Sequence, residues 1–146
     1  MEIKSPVFEN NEMIPAKYTC DGEDINPCLE ILGIPAGTKS LALVIDDPDA
    51  STGMWDHWTV WNINPKENLI KENSVPSEAE EGMNDFQKTS YGGPCPHQGK
   101  HRYFFKVYAL DIAIDLNSSA RKKDLEKAMK GHILESAQII GLYQRA

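Results

Sequence analysis

Residues 91–110 read Tyr-Gly-Gly-Pro-Cys-Pro-His-Gln-Gly-Lys-His-Arg-Tyr-Phe-Phe-Lys-Val-Tyr-Ala-Leu. Gly92, Gly93, Pro94 and Pro96 exclude a regular helix or a central strand from the first part. After Gly99 the run Tyr103-Phe104-Phe105-Lys106-Val107-Tyr108 is aromatic and β-branched, which is the composition of a buried strand. A loop that exposes backbone therefore feeds a stiff strand with His101 at its mouth. Loops held by rigid elements are where binding groups concentrate.

Working outward, Ser40 to Asp46 reads as a central strand that stops in the acidic turn Asp46-Asp47-Pro48-Asp49. His57 to Ile63 reads as a strand with bulk on both faces. Strict alternation puts Trp58, Val60 and Asn62 on one side, and His57, Thr59, Trp61 and Ile63 on the other. Tyr18–Cys20 and Cys28–Ile31 are shorter strand candidates. Residues 64–90 form a polar excursion, with Glu78–Glu81 as a solvated face. Lys122 to about Gly131 has helical spacing, with Leu125, Ala128, Met129 and His132 or Ile133 on one face and Ser118 or Ser119 as the cap. In residues 135–144 the pair Ile139-Ile140 and Gly141 favour a strand over a continued helix. Many short strands and one helix predict an all-β sandwich with a helical appendage, as a single domain over residues 1–146.

Composition narrows the function classes. With 40% hydrophobic and 25% charged residues the chain has an ordinary globular make-up. Its net charge of −7 argues against broad nucleic-acid or anionic-membrane binding, though not against a local anion site. No apolar run approaches the roughly 20 residues of a membrane span, and Met1–Pro6 has no signal-peptide core. A cytoplasmic location and no membrane insertion are the expectation. Cys20, Cys28 and Cys95 are too few for a zinc ribbon. Reduced thiols are expected, with a Cys20–Cys95 bridge as the alternative.

Three segments offer groups suited to one polar pocket: Asp47-Pro48-Asp49, Trp55-Asp56-His57, and Gly93 through Tyr103. A carboxylate, two imidazoles, a phenol and glycine-exposed amides together suit an anion, with Asp47 orienting the histidines. Singly, each has a plainer reading: the aspartates as turn residues, His57 and Tyr103 as core, the glycines as turn formers. His97 and His132 read as surface or helix-face residues.

Asp47-Pro48-Asp49-Ala50, Trp55-Asp56-His57-Trp58, Gly93-Pro94-Cys95-Pro96 and Gly99-Lys100-His101-Arg102-Tyr103 together resemble the signature of the phosphatidylethanolamine-binding, or Raf-kinase-inhibitor-like, proteins. Tyr18–Gly22, Asn84-Asp85-Phe86 and Gly131–Leu134 are similar to the short bacterial and archaeal members. Cys95 stands where animal members tend to carry a second proline. The resemblance implies a large central β-sheet packed on a smaller one in a Greek-key sandwich, with one or two peripheral helices. It also implies a small pocket for phosphate-like anions, made by Asp47, Trp55, His57, Gly93, His101 and Tyr103. Asp49 is then a structural partner near the rim, and Arg102 lies outside the anion shell, paired to an acid.

The expected function is a non-catalytic binding or regulatory protein with no cofactor. Its partner is a small phosphorylated ligand or a phosphorylated protein segment, and a homodimer is compatible with the sequence. Alternatives are a hydrolase using His/Asp acid–base chemistry, with Cys95 the one candidate nucleophile, and inhibition of a kinase or serine protease through the 64–90 loop. A further variant is a metal centre of Asp47, His57 and His101.

Overall fold

The run Leu41–Ile45 lies at the centre of the molecule with every side chain buried, because it has neighbours on both edges and both faces. The structure, a computed structural model, describes residues 1–146. In chain order the strands are β1 (Glu2–Lys4), β2 (Glu12–Met13), β3 (Leu29–Leu32), β4 (Ser40–Ala50), β5 (Gly53–Ile63), β6 (Leu69–Ile70), β7 (Glu80–Glu81), β8 (His101–Leu110) and β9 (Ile133–Tyr143). A 3-10 turn spans Ala16–Tyr18, where the sequence suggests a strand, and the one α-helix, α1, spans Lys122–Met129. A six-stranded sheet has the order β2-β9-β8-β4-β5-β7, and a three-stranded sheet the order β1-β3-β6. No helix is long and apolar enough to cross a membrane.

The layers follow from which faces are apolar. Leu41, Leu43, Ile45, Trp58, Val60, Tyr103, Phe105 and Val107 pack against Ile3, Leu29, Ile31 and Ile70 of the small sheet. On the opposite face, Ala42, Val44, Trp61 and Leu110 meet Leu125 and Met129 of α1. The large sheet is thus covered on both sides, so β4 is buried from Ser40 to Asp47 without alternation, whereas β8 alternates buried and half-buried residues from Tyr103 to Tyr108.

Two bulges in β5 decide what faces where. Ile45 pairs with Trp58 but Asp46 with Asp56, so His57 is an extra residue; likewise Leu41 pairs with Ile63 and Leu43 with Val60. An inserted residue re-aims the side chains beyond it. His57 and Ile63 therefore join the Trp58 side, contrary to strict alternation: Ile63 enters the main core and the His57 ring meets Tyr103. Asn62 at the second bulge has φ 57°, a left-handed conformation Asn tolerates. It turns toward the helix side, donating from Nδ2 to the Ile114 carbonyl (2.8 Å) and accepting from the Ile114 amide (2.7 Å).

Other expectations need correction. β4 does not stop at Asp46 but runs to Ala50, with the reversal at Ser51-Thr52. Pro48 is accommodated because β4–β8 pairing ends at Asp46–Phe104, so no ladder partner needs its missing N–H. Glu80-Glu81 is not a free solvated face but β7, paired to Val60 and Trp61, and Glu81 accepts the Trp58 indole N–H at 3.1 Å. The helix is capped by neither serine. Arg121 occupies the N-cap, and its amide donates to the Asp124 carboxylate at 2.9 Å. The helix has ended before Gly131 (φ 84°), so His132 bonds Asp111 and Ile133 starts β9 half-exposed. Residues 133–143 resolve as a strand along β8.

The Asn62 bulge gives a ranked prediction. Asn62→Ala loses both hydrogen bonds and strains a left-handed backbone, and should cost about 2–3 kcal/mol in urea unfolding. Asn62→Gly relieves the backbone strain only and should fall between Ala and wild type.

Candidate functional site

β4 and β8 separate beyond Asp46–Phe104, and side chains replace the missing ladder. Asp47 reaches across with Oδ2 2.7 Å from His101 Nδ1. Asp49 accepts the Arg102 backbone amide at 3.0 Å and grips its guanidinium through Nε and Nη2, both at 2.9 Å. The Arg102 bonds hold the Asp49 carboxyl below the usual carboxylate range. Asp47 Oδ1 accepts the Asp49 amide at 2.7 Å, so the two acids are fixed relative to one another.

The cleft opened by this fork is a cavity of about 530 Å³. Asp47, Trp55, His57, His101 and Tyr103 all line it, and so does Asp49. The Tyr103 ring stands between the imidazoles, with centroids 5.3 Å from His57 and 6.4 Å from His101. Gly93 is not on the lining. Its amide donates to Asp24 Oδ1 at 2.8 Å, and a Cβ there would lie 2.4 Å from the Tyr18 carbonyl oxygen. This glycine permits a close backbone approach; it does not present an amide to the cavity.

The histidines differ in chemistry. His57 is buried, and its Nδ1 lies 2.6 Å from the Gly92 carbonyl. A carbonyl only accepts, so Nδ1 carries the proton. Burial pushes the His57 pKa down, outweighing the Gly92 bond and the nearby Asp47, Asp46 and Asp56 that act to raise it. The ring is therefore neutral at neutral pH and leaves Nε2 with a lone pair. His101 sits between two acceptors, Asp47 Oδ2 and the Gln98 carbonyl at 3.1 Å from Nε2. Only the doubly protonated ring fills both bonds at once. Asp47 thus orients His101 but not His57, which the Gly92 carbonyl holds instead.

The buried Tyr103 hydroxyl makes no hydrogen bond of normal geometry within the protein, although the Asp47 carboxylate and the Cys95 backbone lie beside it. Burial, then Asp47 and Asp49, push its pKa far above the usual phenol value, so it remains a donor. No three His, Cys, Asp or Glu side chains converge as a metal-ligand group, so Asp47, His57 and His101 do not form the metal centre considered above.

Several lining residues escaped the sequence reading. Phe86 packs edge-on against Trp55 (5.6 Å) and His57 (5.3 Å). It is set in place by buried Asn84, whose Oδ1 accepts the Phe86 and Lys88 amides and whose Nδ2 donates to the carbonyls of His57 and Ser90. His97, read as a surface residue, contributes to the rim with Gln98. The expectation of reduced thiols is wrong: Cys20 and Cys95 form a disulfide with Cα atoms 5.4 Å apart, and only Cys28 is free. Cys95 also lines the cavity.

Residues 4–144 match the family model described as phosphatidylethanolamine-binding protein. A UPF0098 protein of Pyrococcus horikoshii is 49% identical over 154 residues, covering 99% of this chain and 78% of that one. A UPF0098 protein of Methanothermobacter thermautotrophicus is 46% identical over 150 residues, covering 99% of each. A crystal structure from Chlamydia trachomatis, described as a phosphatidylethanolamine-binding protein homolog, superposes with a TM-score of 0.96 at 35% identity, covering 99% of this chain and 97% of that one.

The depressed His57 pKa fixes the sign of a stability effect. Between its ordinary value of 6.5 and the lower folded value, the unfolded chain binds more protons. His57 therefore contributes a loss of stability as pH falls through that window. His57→Gln should flatten the urea-unfolding stability between about pH 7 and pH 5. An equal slope in both proteins would contradict the neutral assignment.

Proposed function

The chain belongs to the phosphatidylethanolamine-binding protein family, and on that premise we propose that it is a non-catalytic binding or regulatory protein whose cavity takes phosphate or a phosphorylated group. The group is carried by a small ligand or by a protein side chain. The observation that carries this reading is the buried, unpaired Tyr103 hydroxyl between two imidazoles in one cavity. An unmet buried donor costs about 1–3 kcal/mol, and an acceptor oxygen from a ligand would remove that cost.

The charge balance suggests how an anion is held. Asp47 and Asp49 are matched by His101 and Arg102. A further negative charge is best met by protonating His57, and the anion supplies the field that reverses the effect of burial. The His101 Nε2–H exchanges the Gln98 carbonyl for an anion oxygen. The sole cysteine on the lining is tied in a disulfide, which removes the obvious nucleophile for covalent catalysis.

Binding should therefore take up a proton at neutral pH and strengthen as pH falls toward about 6. Calorimetry with phosphate in buffers of different ionisation enthalpy measures the uptake. Sulfate, which does not itself titrate in this range, serves to place the proton on the protein. His57→Ala and His101→Ala should each weaken binding by roughly tenfold or more, the scale of one charge-assisted bond. Affinity that rises with pH would contradict the proposal.

A further inference from the structure

One wall of the cavity is barely tied down by backbone. Between the Pro94 carbonyl, which accepts the Cys20 amide at 3.1 Å, and the start of β8 at His101, no backbone–backbone hydrogen bond holds the chain. Cys95 is half-buried and Pro96 is buried, but His97 to Lys100 are exposed. The polar tie in this stretch is the Gln98 carbonyl to His101 Nε2. Yet Cys95, Pro96, His97 and Gln98 all line the cavity. A segment with exposed side chains and few hydrogen bonds belongs to the low-stability end of a fold.

The other end of the disulfide is firmly anchored. Around Cys20, the Tyr18 hydroxyl donates to Glu72 at 2.6 Å and the Tyr143 hydroxyl donates to Asp21 at 2.6 Å. Arg145 pairs with Asp21 at 3.0 Å, and the Asp24 amide donates to the Lys17 carbonyl at 3.0 Å. Cys20–Cys95 therefore joins a fixed turn to a loose wall. Both cysteines are partly exposed, and Cys95 can be approached from the cavity.

We propose that the Cys20–Cys95 disulfide is a thiol-sensitive clamp that sets the cavity's affinity for its anion. This rests on the reading of the cavity as an anion site. A dithiol is the co-reactant. Its thiolate attacks Cys95 Sγ, the S–S bond breaks, and Cys20 leaves as a thiolate that takes a proton. The second thiol of the reductant then resolves the mixed disulfide. Two electrons pass from the dithiol, which becomes a disulfide, to the two cysteines, which become thiols. The wall from Cys95 to Gln98 is then ordered only when ligand binds, and that ordering is charged against affinity. Loss of the Gln98 contact to His101 does not offset this, since the anion displaces that carbonyl in either state.

The test uses the full chain carrying Cys28→Ser, so that only the clamp titrates with thiol reagents. Oxidised and dithiol-reduced protein are compared for phosphate affinity by calorimetry and for the rate of tryptic cleavage after Lys100. Near-UV circular dichroism monitors the fold. Reduction should weaken phosphate binding by roughly tenfold, speed cleavage, leave the near-UV signal in place, and reverse on reoxidation. The Cys20→Ser/Cys95→Ser pair, if it folds, should match the reduced form. Equal affinity and equal cleavage in the two states would overturn the clamp. So would loss of the near-UV signal on reduction, which would make the disulfide a staple of the whole fold. Faster cleavage with no phosphate bound in either state would instead retain the mobile wall and sink the anion reading.

Discussion

The contact between Asp47 and His101 marks where a sheet becomes a site. Up to Asp46 and Phe104 the two central strands are joined by their backbones. One residue further the ladder stops, and the strands are joined by carboxylates instead. Backbone polar groups that lose their ladder still need partners, and the Arg102 amide finds one in Asp49. The acids therefore do two things: they close the end of the fork, and they leave a cleft whose polar groups are already oriented. Arg102 grips Asp49 with two parallel bonds, so this end of the site is rigid before any ligand arrives.

Desolvation and hydrogen bonding divide the two imidazoles between them. His57 lies deep, on a bulge, with its proton fixed toward Gly92; water is largely excluded and the charged form is disfavoured. His101 lies at the mouth with Asp47 Oδ2 and the Gln98 carbonyl at its two ring nitrogens. Tyr103 stands between them as a donor held protonated by the same burial. A buried ring whose Nε2 is left with a lone pair, a second ring between two acceptors and a buried phenol thus line one cavity.

Much of this was legible in the sequence. The strands at Leu41–Ile45 and Tyr103–Tyr108 were evident from composition alone, though only the first is buried throughout, and so was the apolar face of α1 at Leu125 and Met129. Five of the lining residues were named by motif: Asp47, Trp55, His57, His101 and Tyr103. The failures share a cause. Alternation misplaced His57 and Ile63 because a bulge adds one residue and has no side-chain signature of its own. Gly93 matched the motif, but the reason it must be glycine is the Tyr18 carbonyl, distant in sequence. Phe86 sits in a polar stretch without periodicity, and only the hydrogen bonds of Asn84 bring it to the cavity. The disulfide joins residues 75 apart, a separation that no local pattern reports.

Asp46 and Asp47 show how one strand serves two tasks. Neighbours along a strand face opposite sides, so consecutive carboxylates enter different environments. Asp46 points toward the helix, where Lys106 (3.0 Å) and Lys122 (3.1 Å) both pair with it. Burial alone would lower the Lys122 pKa, but Asp56 and Asp46 outweigh it and raise the value, so the ammonium stays charged. Buried charge paired in this way costs several kcal/mol if one partner is removed, and it locks α1 to the sheet. Asp47 points the other way, into the cavity, where its Oδ2 lies 2.7 Å from His101 Nδ1. The ion pairs behind the sheet therefore tie β4 to β8 and α1 on the face opposite the cavity that Asp47 and His101 line. A one-residue slip of β4 would turn Asp46 toward the cavity and Asp47 toward the lysines, and the register of β4 against β8 is what forbids it.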